Sequence, residues 1–411
     1  MAAPDMTWVR ASRWVVLAAY SLLTICTQLL WLTYAPITTQ AHHVMGVSVG
    51  AVGDLAVIFP LVYVVLALPA GRWLDARFTH ALSAGAALTA LGAFLRGLAP
   101  FSYGWALAGQ VIIAAGQPLV LNSITKVAAR YFPPKERTAA ISVGSMAMFL
   151  GILAAALSAG PLFSAGGMRL LVQVQGGLAV TAAILVVIAV TIPPAFREDA
   201  SVAVSLRWLR GDRLMWKLAG LLFVGMGVFN AVATWLQSIL SHFGHGSASG
   251  DLIGVMTVAG IAGAAVLPEA VARRERRRTM LQAAVGVTLV VFLAIAAVHS
   301  VVFIGVALFV EGFLLLAGLP VILDWSELHA GAERAGAAAG FLLLAGNLGG
   351  VVLALAVQAV IGNPYLALGV LAAVAVPGVA LATWLPAGAA PATLATVAAA
   401  EDAAPATEAT D

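Results

Sequence analysis

Residues 51–99 read AVGDLAVIFPLVYVVLALPAGRWLDARFTHALSAGAALTALGAFLRGLA, and their pattern decides the fold class. Two apolar runs, 51–71 and 80–99, flank a short loop that carries Arg72, Asp75 and Arg77. Each run has the roughly 20 residues a helix needs to cross a bilayer. A strand edge facing lipid would leave backbone groups unpaired, so such runs are helices. The pattern recurs along the chain at 14–37, 103–129, 138–163, 171–193, 216–240, 251–270, 279–298, 300–324, 334–361 and 365–385. Composition agrees: of 411 residues 62% are hydrophobic and only 9% charged, where a soluble domain carries about a quarter. The mean hydropathy is +1.01. A water-soluble enzyme is excluded, and an all-α membrane protein of twelve transmembrane helices is expected.

Orientation follows from the basic residues. Of 21 Lys and Arg, only Arg96 and Arg169 lie in or beside loops assigned to the outside. Arg10 and Arg13 precede the first span, and Arg130, Lys135 and Arg137 follow the fourth. The run from Arg273 to Arg278 follows the eighth. Both termini are therefore expected in the cytoplasm, with the plasma membrane as the location. The net charge of +3 reflects this topology, so nucleic acid is not a partner. The first apolar stretch has span length and no small-residue cleavage site, so it reads as a span and not a cleavable leader. Cys26 is the single cysteine and lies inside that span, which leaves no disulfide framework.

The polar gap at 194–215 reads as a cytoplasmic linker. It divides the chain into two six-helix bundles, 1–193 and 216–385, and an Ala/Pro/Thr-rich tail at 386–411 is expected to be disordered. The bundles look like copies. Gly53-Asp54-Leu55 recurs as Gly250-Asp251-Leu252, and Glu136-Arg137 as Glu333-Arg334, each pair 197 positions apart. A parallel six-plus-six repeat is the signature of a carrier whose pseudo-symmetric halves rock about a central site.

The motifs strengthen that reading. Gly71-Arg72-Trp73-Leu74-Asp75-Ala76-Arg77 is similar to the Gly-x-x-x-Asp-x-Arg loop signature of the major facilitator superfamily, and the whole chain resembles a transporter of that superfamily. Phe78-Thr79 stands where the signature has a second glycine, and His80 where a basic residue closes it. A narrower resemblance is to the feline leukaemia virus subgroup C receptor-related transporters, whose members are tied to choline, ethanolamine and haem. It rests on Trp31, Tyr34 and Ile37 in span one, on Gly109-Gln110 and Gln117 in span four, and on Tyr131-Phe132-Pro133-Pro134-Lys135-Glu136. Leu319-Pro320 through Asp324 to Glu327-Leu328 adds to it. The branch's aromatic in span seven and glutamine in span eleven appear here as Asn230 and Asn347, and Met146 and Met148 replace polar residues of span five.

Several residues are candidates for a solute path. Gln110 and Gln117 are seven apart and share a helix face. A primary amide facing lipid is costly, so that face looks into protein or water. With Asn230 and Asn347 from the other half they form a candidate substrate-binding set; interhelical glue is the structural alternative. Trp31 and Phe229 offer aromatic surface to a cation, whereas Tyr34 and Trp235 fit an interfacial belt. Glu311, a lone carboxyl deep in span ten, is the proton-coupling candidate. It could equally counter a cationic solute or remain a protonated, hydrogen-bonded acid. Asp54 and Asp251 open spans and read as helix caps. Asp75, Arg77, Glu136, Arg137, Asp324, Glu327, Glu333 and Arg334 read as a cytoplasmic gate whose ion pairs form when the inner face closes. His42, His43, His242 and His245 read as loop residues rather than metal ligands.

No Gly-Lys-Ser/Thr phosphate loop is present, which excludes ATP drive. The expected function is a secondary active or facilitative transporter moving a small organic solute by alternating access. Proton-coupled efflux of an apolar or drug-like compound is the alternative, favoured by Met146 and Met148. A polytopic enzyme or a non-transporting receptor ranks below both. The expected partners are a small-molecule substrate, protons as a candidate co-substrate, and the lipid bilayer, around a monomer without metal or cofactor.

Overall fold

The computed structural model describes residues 6–194, 196, 206–330 and 334–386. Glu333, residues 195 and 197–205 of the linker, and the tail beyond Pro386 lie outside the described residues. Among the described residues every regular element is helical: α1 Met6–Trp31, α2 Thr38–Met45, α3 Val49–Leu98, α4 Tyr103–Leu121, α5 Ile124–Tyr131, α6 Pro134–Ala189, α7 Arg213–Ser241, α8 Ser249–Arg273, α9 Arg277–Ala297, α10 Val301–Ala330, α11 Ala335–Gln358, α12 Pro364–Ala373 and α13 Ala375–Thr383. Among the described residues ten segments are long and apolar enough to cross a membrane, with the stretches on either side of the kinks in α3 and in α6 counted together.

The expected gap between spans two and three is a kink inside α3 at Arg77 (φ −147°, ψ 66°), where one helix ends and the next begins. The gap between spans five and six is likewise a kink inside α6, at Gly166 and Gly167. Gly167 has a φ of 67°, left-handed backbone that a residue without a Cβ adopts without penalty. Each of the four stretches so separated, 49–76, 78–98, 134–165 and 168–189, holds more than 20 residues, about 30 Å or more at 1.5 Å per residue, enough to cross the hydrocarbon. Other spans are split where the sequence reads continuously. The first ends at Trp31 and resumes as α2 after a 3-10 turn, Ala35–Ile37. The fourth breaks at Asn122–Ser123, just past Pro118, and the last breaks at Val374.

Packing follows the two halves of the sequence. One apolar cluster draws on residues 16–190 with Ala233, the largest other on residues 209–385 with Ala156. Small residues let backbones approach within each cluster. A Cβ at Gly312 or Gly263 would run into the carbonyls of Met256 or Phe313, so α8 and α10 touch backbone to backbone.

Contacts between the halves gather at one end, the one opposite the basic loops. There α3 meets α11, and α6 meets α8. Thr39 donates to Gln237 Oε1 from its backbone N–H (3.0 Å) and from its hydroxyl (2.9 Å). Gln358 Nε2 donates to the carbonyl of Gly50 (3.1 Å) and to Asp54 Oδ1 (2.9 Å). The two repeat-related glycines make reciprocal close approaches, Gly53 to the ring of Trp235 and Gly250 to the carbonyl of Ala156.

This end corrects two expectations. Asp54 is no helix cap: Ser48 caps α3 by accepting from Ala51 N–H, and Asp54 links the halves. Tyr34 and Trp235 form no interfacial belt, being 2% and 0% exposed. Trp235 wedges between α3 and α11 and donates its indole N–H to Ala354 O at 2.9 Å. Asp251 sits in the first turn of α8 without a capping bond.

Candidate functional site

A cavity of about 300 Å³ lies between the two clusters. From the N-terminal side it is lined by Gln28 and Trp31 of α1, Phe59, Pro60 and Tyr63 of α3, Gln117 of α4, Asn122 and Ile124, and Ser145, Met148, Phe149 and Ile152 of α6. The C-terminal side supplies residues of α7, α9, α10 and α11, among them Met226, Phe229, Asn230, Leu315, Leu319 and Asn347. On α7 the lining runs from Leu221 to Asn230 and on α10 from Leu315 to Leu323. The cavity thus extends from mid-helix toward the basic end and stops short of the end where the halves are bonded.

Five of the six residues singled out for substrate line this space: Trp31, Gln117, Phe229, Asn230 and Asn347. Gln117 and Asn230 are each 5% exposed and make no side-chain hydrogen bond to another described residue. Their amides are free to meet a solute. Asn347 donates to Leu343 O within its own helix (2.9 Å), which leaves its carbonyl oxygen. Trp31 is fixed by its indole N–H donating to Ala56 O at 2.9 Å.

Gln110 is the exception and is corrected here. It is fully buried away from the cavity, donates to the carbonyls of Leu30, Trp31 and Leu55, and accepts from Arg96. The two glutamines share a face, but at the depth of Gln110 that face meets the broken end of α1. Met146 is also corrected: it is 47% exposed on the outside of α6 and only Met148 reaches the cavity.

Three lining residues were missed in the sequence. Tyr63 donates its hydroxyl to Asn122 Oδ1 at 2.7 Å, and Gln28 is buried with its Oε1 unpartnered. Prolines 60 and 118, near Tyr63 and Asn122, were the available signal.

Glu311 is 0% exposed. Its Oε1 accepts from the Thr288 hydroxyl at 2.7 Å, and its Oε2 has no partner among the described residues. It does not line the cavity, but Leu315, one turn further along α10, does. Ala284 and Val285, one turn from Thr288 on α9, do as well. The carboxyl therefore stands just behind the cavity wall.

The charges expected to form a gate find partners close by. Asp75 meets Lys126 at 2.7 Å. Arg137 donates to the carbonyls of Phe132 and Ala129. Glu136 pairs with Arg13 (2.8 Å) and Asp324 with Arg277 (2.8 Å). His329 contacts Asp212, the cap of α7, at 2.7 Å. Arg334 lies 5.5 Å from the Trp208 ring. Arg77 and Glu327 are exposed. Each of these pairs falls within one half, and among the described residues no ion pair joins the halves at the basic end. No cluster of three or more His, Cys, Asp or Glu side chains converges among the described residues.

The profile of the Major Facilitator Superfamily matches residues 16–354. Solute carrier family 49 member A3 of Danio rerio is 31% identical over 274 residues, 62% of this chain. The chain spans little more than half, 58%, of that relative's length. The human choline/ethanolamine transporter FLVCR2 is 25% identical over 87% of this chain and 74% of its own. A solved bacterial homologue of the human lysosomal transporter Spinster, in an inward-facing and unoccupied conformation, is 18% identical. It superposes with a TM-score of 0.69 over 90% of this chain and 94% of that one. The fold is shared, and the profile runs from the first membrane helix to near the end of α11: the chain belongs to the Major Facilitator Superfamily and is a multi-pass membrane transporter, not an enzyme.

Proposed function

We propose that this protein moves a small organic solute by alternating access, with the cavity as its binding site. The carrying observation is one cavity between two clusters, walled by apolar side chains and by free amides contributed from both sides. In this reading the chain crosses the bilayer twelve times, with α3 and α6 each crossing twice. Residues 1–193 and 216–385 are two pseudo-symmetric six-helix bundles joined by the 194–215 linker. Contacts of α3 with α11 and of α6 with α8 support the pseudo-symmetry, since the repeat carries span two onto span eight and span five onto span eleven, and so one pair onto the other. The basic loops and both termini face the cytoplasm of a plasma membrane, and a single chain forms the whole path. The hydrogen bonds that join the halves at the far end, and the extension of the cavity toward the basic end, support an inward-facing conformation.

The lining carries no charged residue. Trp31, Tyr63, Phe149 and Phe229 offer ring surface that attracts an alkylammonium group by about 0.5–2 kcal/mol or more. Gln117, Asn230 and Asn347 suit a hydroxyl or amine. Choline and ethanolamine, named for the human relative, are therefore the first candidates. A second reading is proton-coupled efflux of an apolar compound. It is favoured by Met148, Met226 and the leucines of the wall, with Glu311 as proton carrier.

Counterflow in proteoliposomes tests both. Accumulation of labelled choline or ethanolamine against unlabelled internal solute supports the first reading. Export of an apolar dye driven by a pH gradient, with no choline or ethanolamine exchange, supports the second. No counterflow across a broad metabolite and dye panel would overturn the transport site.

A further inference from the structure

We propose that Arg96 and Gln110 form a buried cap that ends α1 at Trp31 and so positions Trp31 in the cavity. The inference rests on the cavity being the solute site.

α1 stops at Trp31, and a helix end leaves up to four carbonyls without partners. Leu30, Arg96 and Gln110 are all buried, so side chains must supply donors to the freed carbonyls. Arg96 Nη1 donates to Leu30 O (3.2 Å) and contacts Thr33 Oγ1 (3.1 Å) and Gln110 Oε1 (2.8 Å). Gln110 Nε2 donates to Leu30 O (3.3 Å), Trp31 O (3.5 Å) and Leu55 O (3.0 Å). Thr33 lies against the carbonyls of Leu29 and Leu30 and donates to Gln175 Oε1 at 2.6 Å. A cation at the carbonyl end of a helix also matches the helix dipole.

Arg96 is 1% exposed and has no acidic partner among the described residues. A buried charge without a counter-charge is costly, so something specific must retain it. The fold itself does not: the repeat-related position in the other half, 197 residues on, is Leu293, 54% exposed on α9. The difference tracks the helix beside it. α7, the counterpart of α1, runs unbroken for 29 residues and frees no carbonyls mid-helix. The cation occurs where the helix breaks. Arg96 and Arg169 each lie over an aromatic ring, Tyr34 at 5.6 Å and Phe101 at 6.0 Å, and Arg96 in addition donates to a carbonyl at the end of α1. Nor is the Arg96 site an anion pocket, because its unpartnered Nε and Nη2 are sealed from solvent-sized probes.

Arg96 is thus a positioning residue, acting on the solute through Trp31. The test uses full-length protein in liposomes. Trp31 emission is isolated as the difference between each protein and its Trp31→Phe counterpart. In Arg96→Gln the Trp31 difference spectrum should move to the red and become quenchable by acrylamide. Arg96→Lys, which keeps the charge but not the planar fork, should recover part of the wild-type spectrum. Half-saturation by choline in counterflow should rise about tenfold, the size of a lost ring–cation contact, while the maximal rate stays within about twofold. Should Arg96→Gln fail to insert, Gln110→Leu removes the cap from the other side and is read the same way. An unchanged Trp31 spectrum and quenching in a folded variant would overturn the proposal. Displaced Trp31 in a protein that never transports choline would uphold the cap and count against choline as the solute.

Discussion

Single side chains separate solute contact from scaffolding. Gln117→Ala and Asn347→Ala are each expected to raise the half-saturating solute concentration about fivefold, the worth of one hydrogen bond of about 1 kcal/mol. Expression should be unchanged. Counterflow with normal half-saturation in both variants would remove these amides from the site. Gln110→Ala should act differently, lowering melting temperature by the cost of leaving buried carbonyls unpaired, roughly 1–3 kcal/mol. Glu311 is held by one hydrogen bond from Thr288. If it carries the proton of the cycle, Glu311→Gln fixes the neutral form. Accumulation driven by a pH gradient should vanish while solute exchange, which need not release the proton, continues. A Gln variant that still accumulates solute would make Glu311 structural.

At the scale of elements, the helix pairs are set by glycine. Gly312 on α10 faces the carbonyl of Met256 on α8, leaving no space for a Cβ. Gly312→Val should separate α8 from α10 at a cost of about 1–3 kcal/mol or more, seen as a lower melting temperature in detergent. Gly286→Val on α9, with open space around it, is the control and should melt like the wild type. Equal melting of both variants would show that α8 and α10 tolerate separation. The apolar runs, their lengths and the break at Arg77, which falls in the charged gap between 51–71 and 80–99, were legible in sequence. The end of α1 at Trp31 was not, because it lies within an apolar run and its carbonyls meet Arg96 and Gln110 from other helices.

For the whole molecule, the decisive feature is the end where the halves lock together. Gly53 accommodates the ring of Trp235, and Gln358 reaches Asp54. Gly53→Leu should force this end apart and shift the population outward. In a Cys26→Ser background, Ser145→Cys on the cavity wall should react with an impermeant maleimide only from the side of the basic loops. Adding Gly53→Leu should open reaction from the opposite side. Labelling that stays one-sided would show that the Trp235 wedge does not hold the closed end. At the opposite end Asp75, Glu136 and Asp324 pair inside their own halves.

The sequence by itself determined that the chain is helical, spans a membrane, repeats its design and belongs among carriers. These follow from local chemistry, because a bilayer forces apolar runs into helices and basic residues mark one side. It also placed five of six solute candidates on inward faces, since helical period is a property of the element alone. Only the tertiary structure decided what covers each face. Gln110 and Gln117 share a stripe, but one meets the carbonyls of a broken helix and the other an open cavity. Asp54 finds Gln358, 304 positions away, and Asp75 finds Lys126. Such partners depend on the crossing and depth of other helices, which no local period encodes.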